Sequence, residues 1–208
     1  MVLEVHNKLR KKNRCEKDII ILEVELIILL CGFMGSGKSF LMESLHKNSK
    51  DKGSFFDLDD EVFDKFGAGE ESLSDLIEKK GWDFFREKEL LCLEDFLGFA
   101  ARSQALCVLS LGGGSLNEES LKLIKSTDRS VLIWLETSFE KCFERILRDG
   151  AGKRPLLKKG KSFIHKLYLA RKSLYEKSHM SISMDDLEKI KDIDGLIELI
   201  HERKRRAM

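Results

Sequence analysis

The sequence predicts an α/β fold in which a five-stranded parallel sheet is flanked by helices. Two observations predict this class: short apolar runs alternate with longer amphipathic runs, and a glycine-rich phosphate-binding motif follows the first apolar run. Strands that are buried on both faces and separated by helices form βαβ units and therefore a parallel sheet. The predicted strands are Leu26–Cys31, Ser54–Phe56, Ala105–Leu109, Val131–Leu135 and Met180–Ser183.

Helical periodicity occupies the intervals between the strands. The basic, glycine-bearing segment 149–161 interrupts this pattern and is predicted to be a mobile loop. At the carboxyl end, the run His201–Arg206 is predicted to be the solvated end of a helix, where cations complement the helix dipole. The predicted helices are Lys38–His46, Trp82–Ala101, Glu118–Lys125, Ser138–Arg148, Phe163–Lys177 and Ile193–Arg205.

Length and composition indicate an ordinary globular chain. It has 208 residues, of which 42% are hydrophobic and 35% are charged, and its formal net charge is only +1. This balance argues against a general nucleic-acid-binding protein, which needs a basic excess. We expect a single domain over residues 25–208, preceded by an N-terminal extension, residues 1–24, that matches no recognisable chemistry.

The five cysteines are widely spread and form neither a C-x-x-C pair nor a zinc-ligand pattern with histidine. They are expected to be buried, reduced thiols of a cytoplasmic protein. Basic residues before an apolar stretch at 19–34 loosely resemble a secretory signal, but Glu23 and Glu25 interrupt that stretch, and cleavage there would destroy the phosphate-binding motif. No run of the sequence is long and uncharged enough to span a bilayer.

The segment Gly32–Ser39 fits the phosphate-binding consensus G-x-x-x-x-G-K-[ST] at every position. Its glycines let backbone amides surround a phosphate, and the following helix directs its positive end at the same anion. Lys38 can reach the β- and γ-phosphates, and the Ser39 hydroxyl can ligate Mg²⁺. The chain is therefore expected to bind a nucleoside triphosphate.

Two aspartates, Asp57 and Asp59, follow the second predicted strand. Along an extended strand end they would point to the same side, because side chains alternate. One carboxylate would then serve the metal and the other a substrate hydroxyl. The alternative is a solvated acidic helix start, since aspartate at such a junction is a good cap. The residues alone leave both interpretations open.

Three weaker signals follow along the chain. Arg86 and Glu89 share one face of a long predicted helix, an arrangement that is by itself usually a surface ion pair. Three consecutive glycines, residues 112–114, follow the third strand at the edge where ligands bind in open α/β sheets. Bare backbone at that edge would let a substrate lie close. Arg171 precedes Tyr175 by one helical turn.

Together these motifs closely resemble those of the shikimate kinase family over roughly residues 25–205. Apart from the phosphate-binding loop each motif is weak, but their order and spacing are specific. The motifs are G-F-M-G-S-G-K-S, F-F-D-L-D, F-R-x-x-E, L-S-L-G-G-G-S, W-L-E-T-S, K-R-P-L-L and A-R-x-x-L-Y-E.

The resemblance implies a P-loop kinase fold with a lid loop at about 149–161. It implies an enzyme that uses ATP and Mg²⁺ to phosphorylate the 3-hydroxyl of shikimate, in the route to chorismate and aromatic amino acids. By position, the implied ATP-binding residues are Gly35, Ser36, Gly37, Lys38, Ser39, Phe40, Arg148 and Arg154. The implied substrate-binding residues are Asp59, Arg86, Glu89, Gly112, Gly113, Gly114 and Arg171. Ser39 and Asp57 would serve the metal, and the implied catalytic residues are Lys38, Asp59 and Arg154.

The chain departs from the family pattern at a few positions. Phe40 stands where threonine is usual and is expected to alter packing behind the loop, Trp82 stands where glutamate is common, and Ser173 replaces a proline. None of these removes a reacting group. Two alternatives are another small-molecule P-loop kinase, of gluconate or nucleotide type, and a non-catalytic nucleotide-binding protein. The expected partners are ATP and shikimate, with no nucleic acid or membrane, and the chain is expected to be a monomer.

Overall fold

The fold is described from a computed structural model over residues 26–49, 52–103, 105–148 and 155–207. Its strands are β1 Ile27–Cys31, β2 Ser54–Asp57, β3 Cys107–Ser110, β4 Ser130–Leu135 and β5 Met180–Ile182. They form one parallel sheet in the order β2-β3-β1-β4-β5. β1 is central, with Leu29 opposite Leu109 on one side and Leu132 on the other. The predicted five-stranded parallel sheet is confirmed.

Helices connect successive strands. They are α1 Lys38–Asn48, α2 Leu58–Phe66, α3 Leu73–Lys80, α4 Trp82–Ser103, α5 Glu118–Ser126, α6 Phe139–Arg148, α7 Lys161–Tyr175, α8 Met184–Leu187 and α9 Ile193–Ala207, with a 3₁₀ helix at Pro155–Lys159. None of the helices in the described part of the chain is long and apolar enough to cross a lipid bilayer.

Both faces of the sheet are covered, which is why β1 is apolar at every position. Ile27 and Leu29 point into one core, under α2 to α7, whereas Ile28 and Leu30 point into the other, against α1, α8 and α9. All four side chains are fully buried. Because the strands are parallel, their carboxyl ends meet at one edge, and the loops that leave this edge carry the predicted motifs.

The four cysteines of the described residues, Cys31, Cys92, Cys107 and Cys142, are free and buried, as the sequence predicts. Burial raises the pKa of the Cys31 thiol to about 12 and that of Cys142 to about 11. These thiols therefore stay protonated and pack as small apolar groups.

Several boundaries differ from the predicted ones. Helices α2 and α3 were not predicted, since each is only eight or nine residues long; their starts are fixed by the side chains of Asp57 and Ser72, which accept hydrogen bonds from first-turn amides. The prediction of a loop over 149–161 is wrong in its second half, because residues 155–159 form the 3₁₀ helix and α7 starts at Lys161. The first half of that loop and the N-terminal extension lie outside the described residues.

Candidate active site

The phosphate-binding loop joins β1 to α1 and has the backbone that its glycines allow. Gly35 and Gly37 adopt φ angles of 78° and 106°, in the left-handed region that other residues avoid. A β-carbon on Gly35 would also lie 2.5 Å from the carbonyl oxygen of Cys142. The loop thus turns tightly into the N-terminus of α1, whose free amides face outward as an anion site.

Lys38 is held over this loop. Its ammonium group donates to the carbonyl oxygen of Gly32 at 2.8 Å and to that of Phe33 at 3.3 Å. Burial lowers the pKa of Lys38, while the negative charges of Asp59 and Asp57 act in the opposite direction. The lysine therefore lies between the loop and the two aspartates that the sequence singled out.

The two aspartates do not alternate along a strand, so the predicted geometry is wrong. β2 ends at Asp57, which is the N-cap of α2, and its carboxylate accepts a 2.9 Å hydrogen bond from the amide of Asp59. The helix-start interpretation is confirmed for Asp57. Asp59 is already helical and lies in a cavity, where burial and the charges of Glu89 and Asp57 raise the pKa of its carboxyl to about 7.

Arg86 and Glu89 form an ion pair one helical turn apart on α4, and the Glu89 carboxylate is 3% exposed. The Ser115 hydroxyl donates a hydrogen bond to the other oxygen of Glu89. Burial raises the pKa of Glu89, and Arg86 and Ser115 lower it. The surface ion pair expected of this spacing is thus a buried anchor, which orients one edge of the Arg86 guanidinium group.

The glycine run 112–114 packs against four of the predicted site side chains. A β-carbon on Gly114 would lie 2.5 Å from a guanidinium nitrogen of Arg86 and 2.5 Å from one of Arg171. On Gly112 it would lie 2.5 Å from a carboxylate oxygen of Asp59 and 2.8 Å from one of Glu89. None of the three has a positive φ, so at Gly112 and Gly114 it is the close approach of these side chains, and not the backbone conformation, that favours glycine.

These groups enclose one cavity of about 630 Å³ beside the phosphate-binding loop. Arg171 reaches it from α7, where burial lowers the pKa of its guanidinium group, and its charge lies 5.7 Å from the centre of the Phe33 ring. Two cations, a titratable carboxyl and bare backbone can bind an anionic molecule with hydroxyl groups. The predicted residues that line the cavity are Asp59, Arg86, Glu89, Gly112, Gly113, Gly114 and Arg171.

Several residues at this edge were missed by the sequence analysis. Arg145 donates a 3.2 Å hydrogen bond to the carbonyl of Gly35, and the Thr137 hydroxyl donates one of 3.0 Å to that of Ser36, so both fix the phosphate-binding loop. The indole of Trp82 lines the cavity mouth. Thr137 belongs to the W-L-E-T-S motif, which could have indicated it, whereas Arg145 lies in an ordinary amphipathic helix and carries no such signal.

Two predicted nucleotide residues of the described chain, Arg148 and Phe40, do not line this cavity. Arg148 is exposed at the end of α6. Phe40 is 68% exposed on the first turn of α1, so its ring lies in solvent. Arg154 lies outside the described residues.

The parallel sheet, the phosphate-binding loop and an adjacent cavity for a small anion define the chain as a P-loop kinase of small molecules. The family model described as shikimate kinase matches residues 34–201. The shikimate kinase of Persephonella marina is 37% identical over 158 residues, which cover 76% of this chain and 88% of that protein. The shikimate kinase of Dictyoglomus turgidum is 34% identical over 179 residues, covering 84% of this chain and 94% of that one.

A solved structure agrees with the sequence comparisons. The shikimate kinase from Acinetobacter baumannii in complex with shikimate superposes with a TM-score of 0.68 at 26% identity, covering 89% of this chain and 98% of that one. The chain belongs to the shikimate kinase family.

Proposed function

We propose that this protein transfers the γ-phosphoryl group of ATP to the 3-hydroxyl of shikimate, and that it does so with the residues of the cavity described above. The single observation that carries the proposal is the convergence of Arg86 and Arg171 on Gly114, with Asp59 at Gly112 of the same glycine run and the charge of Lys38 acting on Asp59. The cavity therefore combines a site for a carboxylate, a site for a hydroxyl and a site for phosphate.

The two arginines bind the carboxylate of the substrate. A carboxylate taken from water into a closed cavity needs cationic donors, and the planar guanidinium fork matches its two oxygens. Glu89 occupies one edge of Arg86, which leaves the remaining N–H groups to point into the cavity. A neutral polyol such as a sugar alcohol would offer no negative charge to Arg171 or to the donors of Arg86 that Glu89 leaves free, and this disfavours it.

Asp59 binds the reacting hydroxyl. Its carboxyl has a pKa of about 7, so it is partly ionised at neutral pH and can accept both the hydrogen bond and the proton of that hydroxyl. Phosphoryl transfer through a loose transition state needs positioning more than a strong base. Lys38 neutralises the charge that develops at the β–γ bridge as the phosphorus–oxygen bond breaks.

The residues near the phosphate-binding loop fit magnesium. Mg²⁺ prefers oxygen ligands and is usually held by one or two protein groups together with phosphates and water. Ser39 follows Lys38 in the first turn of α1, and the Asp57 carboxylate at the start of α2 is near enough to act on the charge of Lys38, so both supply oxygen donors in this region. Mg²⁺ held there by Ser39 and Asp57 would supply positive charge that neutralises the phosphates of ATP.

The remaining parts of the proposal concern the whole enzyme. We propose one kinase domain over residues 25–208 that acts in the cytoplasm as a monomer. Arg154 closes over the phosphates with the lid at about 149–161, and Arg148 lies near the adenine. Closure of such a lid excludes water from the transferred group.

A coupled assay of ADP release tests the substrate. The purified chain is given MgATP with shikimate, gluconate or a nucleoside monophosphate in turn. We expect a specificity constant for shikimate that is at least a hundredfold above the others, about 2.7 kcal/mol. A higher constant for gluconate or for a nucleotide would reject shikimate as the substrate, and absence of ADP release with every acceptor would reject the kinase.

A further inference from the structure

The indole of Trp82 stacks on Arg86 at the mouth of the cavity. The guanidinium carbon of Arg86 lies 5.1 Å from the centre of the indole and 5.3 Å from the centre of the Phe85 ring. Trp82 meets Phe85 edge-to-face, with ring centres 5.9 Å apart. The cationic group thus has an aromatic surface beside it in addition to its carboxylate partner.

We propose that Trp82 is a positioning residue that holds the Arg86 guanidinium group in the orientation that binds the carboxylate of the substrate. This inference rests on the proposed function, because it assigns the carboxylate to Arg86. Trp82 precedes Arg86 by four residues and Glu89 follows it by three, so all three side chains lie on one face of α4.

The two partners constrain different parts of the arginine. Glu89 pairs with an edge of the planar group, through its N–H donors. An aromatic ring attracts the flat face of the same cation and uses none of its donors. When Glu89 occupies one edge of the guanidinium group and Trp82 one face, the remaining N–H donors have a fixed orientation and are still available to a carboxylate. A guanidinium group held by the ion pair alone could swing about that edge.

The exposure of the residues supports the same conclusion. The Arg86 side chain is 30% exposed, whereas that of Glu89 is 3% exposed, so the ion pair leaves part of the arginine open to solvent. Trp82 stands on the open side and remains 40% exposed itself. A large aromatic side chain left this exposed contributes less to the core than a buried one, so the contact with Arg86 is one of the few interactions that this indole makes.

Steady-state kinetics of Trp82→Leu and Trp82→Phe test the proposal. We expect Trp82→Leu to raise KM for shikimate about three- to tenfold, with KM for ATP and kcat within twofold of wild type, because a cation–aromatic contact contributes on this scale. Trp82→Phe keeps an aromatic face and should recover most of the affinity. Trp82→Gln, which also removes the ring and suits an exposed helix position, should match the leucine variant and provides a second measurement if that variant folds poorly.

The matched control is Phe99→Leu. Phe99 is on the same helix, is 48% exposed and contacts Phe56 instead of the cavity. It should leave KM for shikimate unchanged. A loss shared by Phe99→Leu and Trp82→Leu would indicate general damage to α4 and would overturn the proposal.

A double-mutant cycle with Arg86→Lys distinguishes action through Arg86 from direct contact with the substrate. If Trp82 acts through the guanidinium group, Trp82→Leu should have no further effect on KM for shikimate in the Arg86→Lys background. Fully additive losses would overturn the proposal and leave the proposed function intact. If Arg86→Lys alone leaves KM unchanged, the carboxylate assignment itself fails, and the role of Trp82 fails with it.

Discussion

The phenol of Tyr175 donates a 2.6 Å hydrogen bond to the carbonyl oxygen of Gly113. This bond joins the last turn of α7 to the glycine run, two segments separated by sixty-two residues. Arg171 lies one turn earlier on the same helix, so the contact fixes the distance between this arginine and the glycines that it approaches. Tyr175 is 2% exposed, and burial raises the pKa of its hydroxyl, which therefore remains a donor.

Removal of this hydroxyl should affect both stability and substrate binding. Tyr175→Phe leaves the partly buried Gly113 carbonyl without its donor, which costs about 1 kcal/mol in the free energy of unfolding. We also expect a severalfold increase in KM for shikimate. The control is Tyr168→Phe, which deletes a hydroxyl of the same helix that donates to the Thr137 carbonyl at 3.0 Å. Urea unfolding and initial rates measure the two effects, and an unchanged shikimate KM in Tyr175→Phe would contradict the expectation.

Exchange of each cavity arginine for lysine should weaken the use of shikimate. Lysine keeps the charge but loses the two-pronged geometry, so Arg86→Lys and Arg171→Lys should each lower kcat/KM for shikimate about ten- to a hundredfold, or roughly 1.5–3 kcal/mol. ATP affinity measured without shikimate should barely change. Arg206→Lys, at an exposed ion pair with Glu202, is the control and should lose less than about 1 kcal/mol. If kcat/KM for shikimate stays near the wild-type value in both cavity variants, Arg86 and Arg171 do not bind the carboxylate of the substrate.

Lys38→Met should lower turnover by orders of magnitude while the protein stays folded. The ammonium group stabilises charge that grows at the β–γ bridge during transfer, so its loss affects the transition state more than bound ATP. Its removal also relieves the burial of a charged group, which supports retention of the fold. Single-turnover rates and thermal unfolding check the two parts, and near-normal turnover in a folded variant would end the kinase assignment.

The pH dependence of the reaction should reflect Asp59. The pKa of its carboxyl is about 7 before substrates bind. If the ionised form binds and deprotonates the hydroxyl, kcat/KM for shikimate rises about tenfold per pH unit below this value and levels off above it. Asp59→Asn should be nearly inactive and should lose the rise. A wild-type profile that is flat from about pH 5 to 8 would show that the protonation state of Asp59 does not limit the reaction.

Because of the Asp59 carboxyl, we also expect the difference in stability between wild type and Asp59→Asn to depend on pH. Its pKa is raised from 3.8 in the unfolded chain to about 7 in the fold, so the folded state holds the proton more tightly. The stabilisation is full below pH 3.8 and is lost as pH rises through about 7. Asp59→Asn does not titrate, so its melting temperature relative to wild type should be higher at pH 8 than at pH 5. Thermal unfolding of both proteins at pH 5 and pH 8 measures this difference. An equal difference in melting temperature between variant and wild type at the two pH values would contradict the prediction.

Much of the fold and part of the site could be predicted from local sequence pattern. The alternation of apolar and amphipathic runs is visible in the sequence because each strand or helix is specified by residues a few positions apart. The phosphate-binding loop is visible for the same reason, since its glycines, lysine and serine all lie within eight consecutive residues. Short helices such as Leu58–Phe66 were missed, because Asp57 ends the strand and starts the helix at a single residue. A helix cap of this kind depends on the backbone geometry at one residue, and the spacing of apolar residues in the sequence does not show that geometry.

The tertiary structure alone decided how the cavity is built. Asp59, Arg86 and Arg171 come from three helices that are far apart in the chain, and each is individually compatible with an exposed charged surface. Packing on the sheet brings them to the glycine run, and only then does burial change the pKa of Asp59 and make Glu89 an anchor instead of a surface partner. Desolvation and convergence depend on distances between elements, and a sequence by itself contains no such distances.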